Sequence, residues 1–365
     1  MPALKGLFYR AEKKTYLFLP INGAGLGHLT RSLAIAKRLK ALEPESEIVF
    51  LTTSIGVTLV HREGFACHHV TPAALLKTGA IAWNKLFFQS LKNVLEVHKP
   101  GTLVFDGTIP YLGLQRAMHS FRGIDYFWIK RGLYKNGVDD KRMSALVSGF
   151  KAVISPGELV PESSVESANS RLHFVEPISL LDRSDLMEPN EARRMLRLAT
   201  DRPCAYVQLG AGNINGISDL QDRIISLLRD RGVQVVLGQS PIAISPKPDL
   251  KADSVIIDYP NSKYFAAFDF AVLAGGYNSV CEAVILGLPA VFFPNTETGA
   301  DDQLKRVQNA RSFGRYEVMV EFNECEFVRV VDKLLAAGPS TEHSRQRNGA
   351  ASAASLLSRA INSEQ

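Results

Sequence analysis

The sequence predicts an α/β protein built from two doubly wound, Rossmann-like domains in tandem, facing each other across a cleft. Three observations carry that prediction. Apolar strand runs alternate with helical patterns through both halves of the chain. The rhythm breaks once, around residues 176–190, and then restarts. At 365 residues the chain has room for two sizeable cores. The expected domains are 1–176 and 177–365, with the last helix a candidate to pack back onto the first domain.

In the first half, Tyr16–Ile21 reads as a buried strand, followed by a Gly-rich turn and a helix over His28–Leu42. Leu29, Leu33, Ala36 and Leu39 share one face of that helix, with Arg31, Lys37, Arg38 and Lys40 elsewhere. Ile48–Thr53, Phe65–Val70 and Leu103–Phe105 read as further strands, Tyr126–Ile129 as the end of another, and Trp83–Val97 as an amphipathic helix. The break carries Glu176-Pro177, Asp182-Arg183-Ser184-Asp185 and Glu188-Pro189-Asn190, which suits a linker. A short helix over Glu191–Leu198 then takes Asn190 as its expected N-cap. Strands are expected at Ala205–Leu209, Val233–Leu237, Val255–Asp258, Phe270–Leu273 and Ala290–Phe293, and helices at Asp219–Asp230, Ser262–Phe268, Ser279–Leu286 and Asp302–Phe313. After Gly349 the tail is rich in Ala and Ser.

Composition narrows the function. Lys+Arg 42 against Asp+Glu 37 leaves a net charge of +5, too mild to indicate nucleic acid. The charge is uneven: residues 1–176 hold 22 basic and 14 acidic side chains, residues 177–365 hold 20 and 23. An acidic or membrane-bound partner for the basic half stays open beside plain solvation. The cysteines at 67, 204, 281 and 325 form no CxxC pair, which fits a reducing compartment. No stretch approaches the ~20 apolar residues of a membrane span, and the run from Tyr16 is too short for a signal segment. A cytoplasmic protein is expected, with peripheral membrane contact open.

Three constellations carry chemistry. The first is Gly23-Ala24-Gly25-Leu26-Gly27-His28, between the first strand and helix. Glycines such as Gly25 and Gly27 let the backbone turn and a ligand approach. A dinucleotide fingerprint would need glycine where His28 stands and an acid after Thr52-Thr53-Ser54, so NAD is not indicated. His28 at a helix start is suited to proton transfer as a neutral base, or alternatively to bonding its loop. The second is Asp106, just beyond a buried strand, which could orient His28 or merely open a turn before Gly107. The third is Ala274-Gly275-Gly276-Tyr277-Asn278-Ser279-Val280-Cys281-Glu282, then Gly287-Leu288-Pro289, Pro294 and Asp301-Asp302-Gln303. Here a strand ends in Gly275 and Gly276 and a helix begins at Asn278-Ser279, so N–H groups and dipole converge where a diphosphate would sit. Glu282, one turn in, could accept both hydroxyls of a ribose; read as helix capping alone, the motif leaves Asp302-Gln303 unexplained.

Residues 274–303 resemble the donor-site signature of GT-B glycosyltransferases that use nucleotide sugars, among them the UDP-glycosyltransferases and the UDP-N-acetylglucosamine transferase of peptidoglycan synthesis. The resemblance implies that Asn278 and Ser279 contact the diphosphate, Glu282 holds the ribose, and Asp302 and Gln303 bind sugar hydroxyls. It makes the Gly-Leu-Gly-His loop the acceptor side, with His28 as base, and Gly210-Ala211-Gly212-Asn213 (Gly210, Gly212 and Asn213 foremost) the loop near phosphates and sugar. Ala274 stands where the plant-type signature has His, and Tyr277 where it has Trp, which favours a bacterial-type relative. The expected function is transfer of a sugar from a UDP-sugar, UDP-GlcNAc or a related hexose, to a hydroxyl acceptor with inversion, in polysaccharide, glycolipid or glycosylated-metabolite synthesis. No Asp-x-Asp occurs, so neither a metal nor another cofactor is expected. Gly25–Arg31 is also similar to a GxGHxxR segment of UDP-sugar hydrolases from nonulosonic acid pathways, which share this fold. That hydrolase, and a silent binding protein of the same fold, are the alternatives.

Weaker signals remain. His61, Glu63, Cys67, His68 and His69 cluster in sequence, but neighbours on a strand face opposite ways and poorly preorganise a metal. Trp83, Leu86, Phe87 and Phe88 read as core packing, or as a stripe for a lipid-linked acceptor. Lys130-Arg131 reads as a solvated loop or an anion contact.

Overall fold

Strand β1 (Thr15–Pro20) lies at the centre of the first sheet, its Tyr16–Leu19 run fully buried. The computed structural model describes residues 13–21, 25–135, 145–159, 171–210, 217–242, 251–338 and 346–362. Around β1 stand β2 (Glu47–Thr52), β3 (Ala66–His69), β4 (Thr102–Asp106), β5 (Asp125–Ile129), β6 (Ala152–Pro156) and β7 (Leu172–Val175), in the order β3-β2-β1-β4-β5-β6-β7, all parallel. Helices α1 (Gly27–Leu42), α2 (Val57–Arg62), α3 (Ala73–Leu76), α4 (Ala80–His98) and α5 (Leu112–Ser120) connect them. Period-two alternation divides β1 between two cores: Tyr16 and Phe18 pack with Leu33 of α1, while Leu17 and Leu19 pack with Trp83 and Phe87 of α4.

The second sheet runs β10-β9-β8-β11-β12-β13, again parallel, from β8 (Cys204–Gln208), β9 (Gln234–Gly238), β10 (Ser254–Ile256), β11 (Phe270–Ala274), β12 (Ala290–Phe293) and β13 (Tyr316–Val318). Its helices are α6 (Pro189–Met195), α7 (Ile217–Arg229), α8 (Tyr277–Leu286), α9 (Gln303–Ala310) and α10 (Glu324–Ala336). The final helix α11 (Ala350–Asn362) lies against α1, where Ala350, Ala353, Ala354 and Leu357 complete the first domain's core. Gly349 makes that return passable: a Cβ there would stand 2.0 Å from the Glu176 carbonyl oxygen, so only glycine clears the linker. Asn348 stitches the same crossing, its side chain bonding Ser179 at both backbone groups and Asp182 Oδ1 at 2.8 Å.

Local details differ from the sequence reading. Glu188, not Asn190, caps α6, its carboxylate accepting from the Glu191 N–H at 3.0 Å. Pro189 then takes the first helical position, where its missing N–H is harmless. Residues 261–267 form a 3-10 helix and not an α-helix. Arg31, off the apolar face of α1, is nonetheless buried. The His68 side chain pairs with His98, from outside its sequence cluster, the two Nε2 atoms lying 2.8 Å apart.

In each sheet the strand order reverses beside the first strand of its unit. Loops at the carboxyl ends of β1 and β4, and of β8 and β11, are therefore splayed apart into crevices. These four loops hold the chemistry.

Candidate active site

Parallel register sets Pro20 at the end of β1 beside Asp106 at the end of β4. The helix that follows β1 consequently starts over Asp106. Its N-cap, Leu26, makes no side-chain cap, and His28 in the first turn reaches across instead of capping the helix. His28 Nδ1 lies 2.7 Å from Asp106 Oδ1. Arg31, one turn further along the same face, bonds the same carboxylate with Nε at 3.0 Å from Oδ2 and Nη2 on Oδ1. Ser32 Oγ donates to Oδ2 at 3.4 Å. Asp106 has no exposed surface. Burial alone would raise its pKa, yet the Arg31 and His28 beside it hold it below the usual carboxylate range. An ionised carboxylate only accepts hydrogen bonds. Placed 2.7 Å from Nδ1, it favours the tautomer protonated there, in which Nε2 is the accepting nitrogen.

The second domain faces this dyad with the turn from β11 into α8. Gly275 is packed so tightly that a Cβ would stand 2.9 Å from Pro294 Cα. Gly276 is the extended N-cap residue without a side-chain cap, so the first-turn N–H groups of Tyr277, Asn278 and Ser279 have no partner within the helix. Asn278 Nδ2 donates to the Gly27 carbonyl at 3.3 Å, and the Tyr259 hydroxyl donates to Thr30 Oγ1 at 2.9 Å, so the turn is seated directly on the start of α1. Glu282 lies one helical turn inside. No group among the described residues bonds its carboxylate, and burial pushes its pKa up to about 7. A half-buried carboxylate without a partner is costly to the folded chain and is ready to accept from a ligand's hydroxyls.

Between the two halves lies a cavity of about 260 Å³ lined by His28, Arg31, Thr108, Arg131, Tyr134 and Asp301. The loop after β5 closes over it. Tyr134 forms a bridge with Asp301, and the Lys135 N–H donates to the Ala300 carbonyl at 2.9 Å. Lys135 Nζ donates to the Thr296 carbonyl at 2.6 Å. Behind the loop, fully buried Arg306 joins Glu158 (2.7 Å) to Asp301 (2.5 Å) and donates to the Gly275 carbonyl at 3.2 Å. Arg131 reaches Asp301 at 3.2 Å. The guanidinium carbons of Arg31, Arg131 and Arg306 lie 5.3, 5.3 and 5.7 Å from the Tyr277 ring centre, so one aromatic ring from the second domain is surrounded by cations from both.

The structure thus brings His28, Asp106, Gly25 and Gly27 to one wall of the cleft, and Gly275, Gly276, Asn278, Ser279 and Glu282 to the other. Asp302 and Gln303 sit at the rim with local duties: Asp302 caps α9 by accepting from the Lys305 N–H at 2.9 Å, and Gln303 Oε1 accepts from the Asn295 N–H at 3.0 Å. Their other polar atoms keep capacity for a ligand. Gly210 ends the segment after β8 with φ +105, a value glycine adopts readily. Gly212 and Asn213, like Gly23 and Ala24, lie outside the described residues. Sequence reasoning missed both the Arg31–Asp106 pair and the bridging network of Arg131, Glu158, Asp301 and Arg306. Only the spacing of Arg31 from His28 carried a readable signal. Among the described residues no three His, Cys, Asp or Glu side chains gather as a metal-ligand set.

No protein-family model matches the chain. It is similar to curated proteins named UDP-N-acetylglucosamine--N-acetylmuramyl-(pentapeptide) pyrophosphoryl-undecaprenol N-acetylglucosamine transferase. That of Nocardioides is 26% identical over 284 residues, 75% of this chain and 76% of the relative. That of Acetivibrio thermocellus is 26% identical over 326 residues, 83% of this chain and 85% of the relative. Among solved structures, MurG of Acinetobacter baumannii superposes with a TM-score of 0.61 at 15% identity, covering 95% of this chain and 99% of its own. The calicheamicin glycosyltransferase CalG4 gives 0.59 at 17% identity over 96% and 99%. The architecture is the GT-B fold of these glycosyltransferases.

Proposed function

We propose that this GT-B protein is a glycosyltransferase that moves a hexose, GlcNAc or a close relative, from its UDP-sugar to a hydroxyl acceptor with inversion at the anomeric carbon. The observation that carries the reading is the juxtaposition across one cleft of the His28–Asp106 dyad with a helix start and the buried carboxylate of Glu282, which no group among the described residues bonds. The curated relatives are named for transfer from UDP-N-acetylglucosamine, which favours that donor.

In this reading the uridine ribose donates both hydroxyls to Glu282, and the diphosphate lies on the N–H groups of Tyr277, Asn278 and Ser279. The helix dipole and those N–H groups supply positive potential where charge grows on the leaving UDP, a task that needs no metal ion. The acceptor hydroxyl stands in the 260 Å³ cavity against His28. Its oxygen forms the new bond to the anomeric carbon as the bond to the β-phosphate oxygen breaks. The hydroxyl proton passes to Nε2, and Asp106 stabilises the imidazolium. Holding both substrates in one closed cleft is worth ~7–11 kcal/mol, and the base ~10²–10⁴-fold. Asp302 and Gln303, with their remaining polar atoms, face the sugar.

We place the reaction on the cytoplasmic side, at a membrane surface. Trp83 and Phe87 are core residues, but Leu75, Leu76, Ile81, Leu86 and Leu112 are exposed on α3, α4 and α5. Tyr111 packs on Trp83 and Phe87 and ties these elements together. Such a surface suits contact with a bilayer carrying a lipid-linked acceptor. No helix among the described residues is long and apolar enough to cross a membrane. Incubation of the protein with UDP-[14C]GlcNAc and a panel of hydroxyl acceptors tests the function: radiolabelled product supports it, and release of free sugar without acceptor points to hydrolysis.

A further inference from the structure

The helix α1 carries a buried cation that proton transfer by a His–Asp pair does not itself require. Arg31 is 3% exposed, although arginine is rarely enclosed without a specific partner. Its partner is Asp106, gripped in a fork with Nε on Oδ2 at 3.0 Å and Nη2 on Oδ1. Oδ1 receives His28 Nδ1 as well, at 2.7 Å, and Nη2 stands 3.0 Å from that same nitrogen. One carboxylate oxygen therefore serves both donors. Tyr277 closes the assembly from the opposite domain, its ring 5.3 Å from the Arg31 guanidinium carbon and its hydroxyl accepting from the Ile178 N–H at 3.0 Å.

We infer that Arg31 is a positioning residue for the His28 base, holding Asp106 ionised and oriented so that the imidazole keeps its proton on Nδ1 and presents Nε2 to the acceptor. A carboxylate with no solvent contact keeps its charge only beside a partner cation. Without Arg31, Asp106 takes up a proton and becomes a donor. It then donates to Nδ1, the imidazole proton moves to Nε2, and the nitrogen facing the cleft can no longer accept a proton. The guanidinium fork also fixes the plane of the carboxylate, which a point charge does not. Arg131 and Arg306 stack on the same tyrosine ring, but they bond Asp301 and Glu158, not the dyad. The role of Arg31 is thus distinct within the cluster.

The catalytic meaning of this inference rests on the glycosyl-transfer reading; its structural meaning does not. The test therefore pairs two readouts on R31M and R31K. The first is 15N NMR of selectively labelled histidine at pH 8, with the His28 ring assigned through H28Q. The second is steady-state transfer kinetics. Wild type is expected to show the Nδ1–H tautomer. R31M is expected to show the Nε2–H form and a kcat lowered ~10²-fold or more, with donor KM changed less than about threefold. R31K, which keeps the charge and loses the fork, is expected to retain Nδ1–H and to recover part of the rate. If R31M does not fold, R31K decides: wild-type kcat in that variant overturns the role of the fork. Unchanged tautomer and kcat in folded R31M overturn the inference outright. Absence of transfer by wild type removes the functional reading, while the tautomer measurement still decides what Arg31 does.

Discussion

The Nδ1 of His28 lies 2.7 Å from Oδ1 of Asp106, although the two residues are 78 positions apart in the chain. The pair exists because β1 and β4 are neighbours in register, so the helix after one strand begins above the end of the other. With Asp106 buried and ionised, the bond favours the imidazole tautomer protonated on Nδ1. The predictions below follow from that relationship and from its counterpart at Glu282.

Replacing His28 removes the proton acceptor and leaves the nucleotide site intact. H28A is expected to lower kcat by ~10²–10⁴-fold with UDP affinity within about twofold of wild type, measured by transfer assay and calorimetry. Retained turnover would remove His28 from the mechanism.

D106N presents an amide to both His28 and Arg31. The amide can donate to Nδ1 and favour the wrong tautomer, and Arg31 loses its counter-charge in a buried setting. Expected are a kcat loss of at least ~10²-fold and a stability loss of ~3–5 kcal/mol in chemical denaturation. Wild-type stability in this variant would mean the ion pair is not enclosed in solution.

Glu282 gives a pH dependence whose sign is fixed. Its folded-state pKa is raised from 4.5 to about 7 by burial. The unliganded protein therefore keeps the stability of the protonated form below pH 4.5 and loses it as pH rises through 7. A ribose that donates to the carboxylate favours the ionised form, so affinity for a UDP-sugar should rise with pH up to about 7 and binding should release a proton. E282Q should flatten both curves: it should stabilise the unliganded protein at pH 8 and bind the donor less tightly. Thermal shifts and calorimetry at pH 5.5, 7 and 8.5 read both effects.

The Tyr277 hydroxyl accepts the Ile178 N–H in the linker. Y277F keeps the ring among its three arginines and orphans a buried N–H, so a loss of ~1–3 kcal/mol is expected with little change in donor KM. A large KM effect would show that the hydroxyl itself meets substrate.

Much of this was legible in the sequence, for physical reasons. Apolar runs such as Tyr16–Leu19 and Phe270–Leu273 are buried on both faces of parallel sheets, so they stand out without alternation. Gly275 marked a turn packed so tightly that only glycine fits. The short outer strands β7 and β13 were not readable, because His173 and Glu317 interrupt their apolar character. The Glu188 cap was hidden by the more usual Asn190 beside it. The burial of Arg31 was not readable, because it depends on Asp106, a partner brought close only by strand order. The Arg306–Asp301–Glu158 bridge, with Arg131, was invisible for the same reason: its members lie in two domains and meet only when the cleft is formed.

The central claim is a nucleotide-sugar site at the start of α8 facing His28, and calorimetric titration of UDP into wild type and E282A in chelator-containing buffer tests it most directly. The account predicts micromolar binding by wild type without added metal and at least ~10-fold weaker binding by E282A. No binding by wild type, or equal binding by the two proteins, would contradict it.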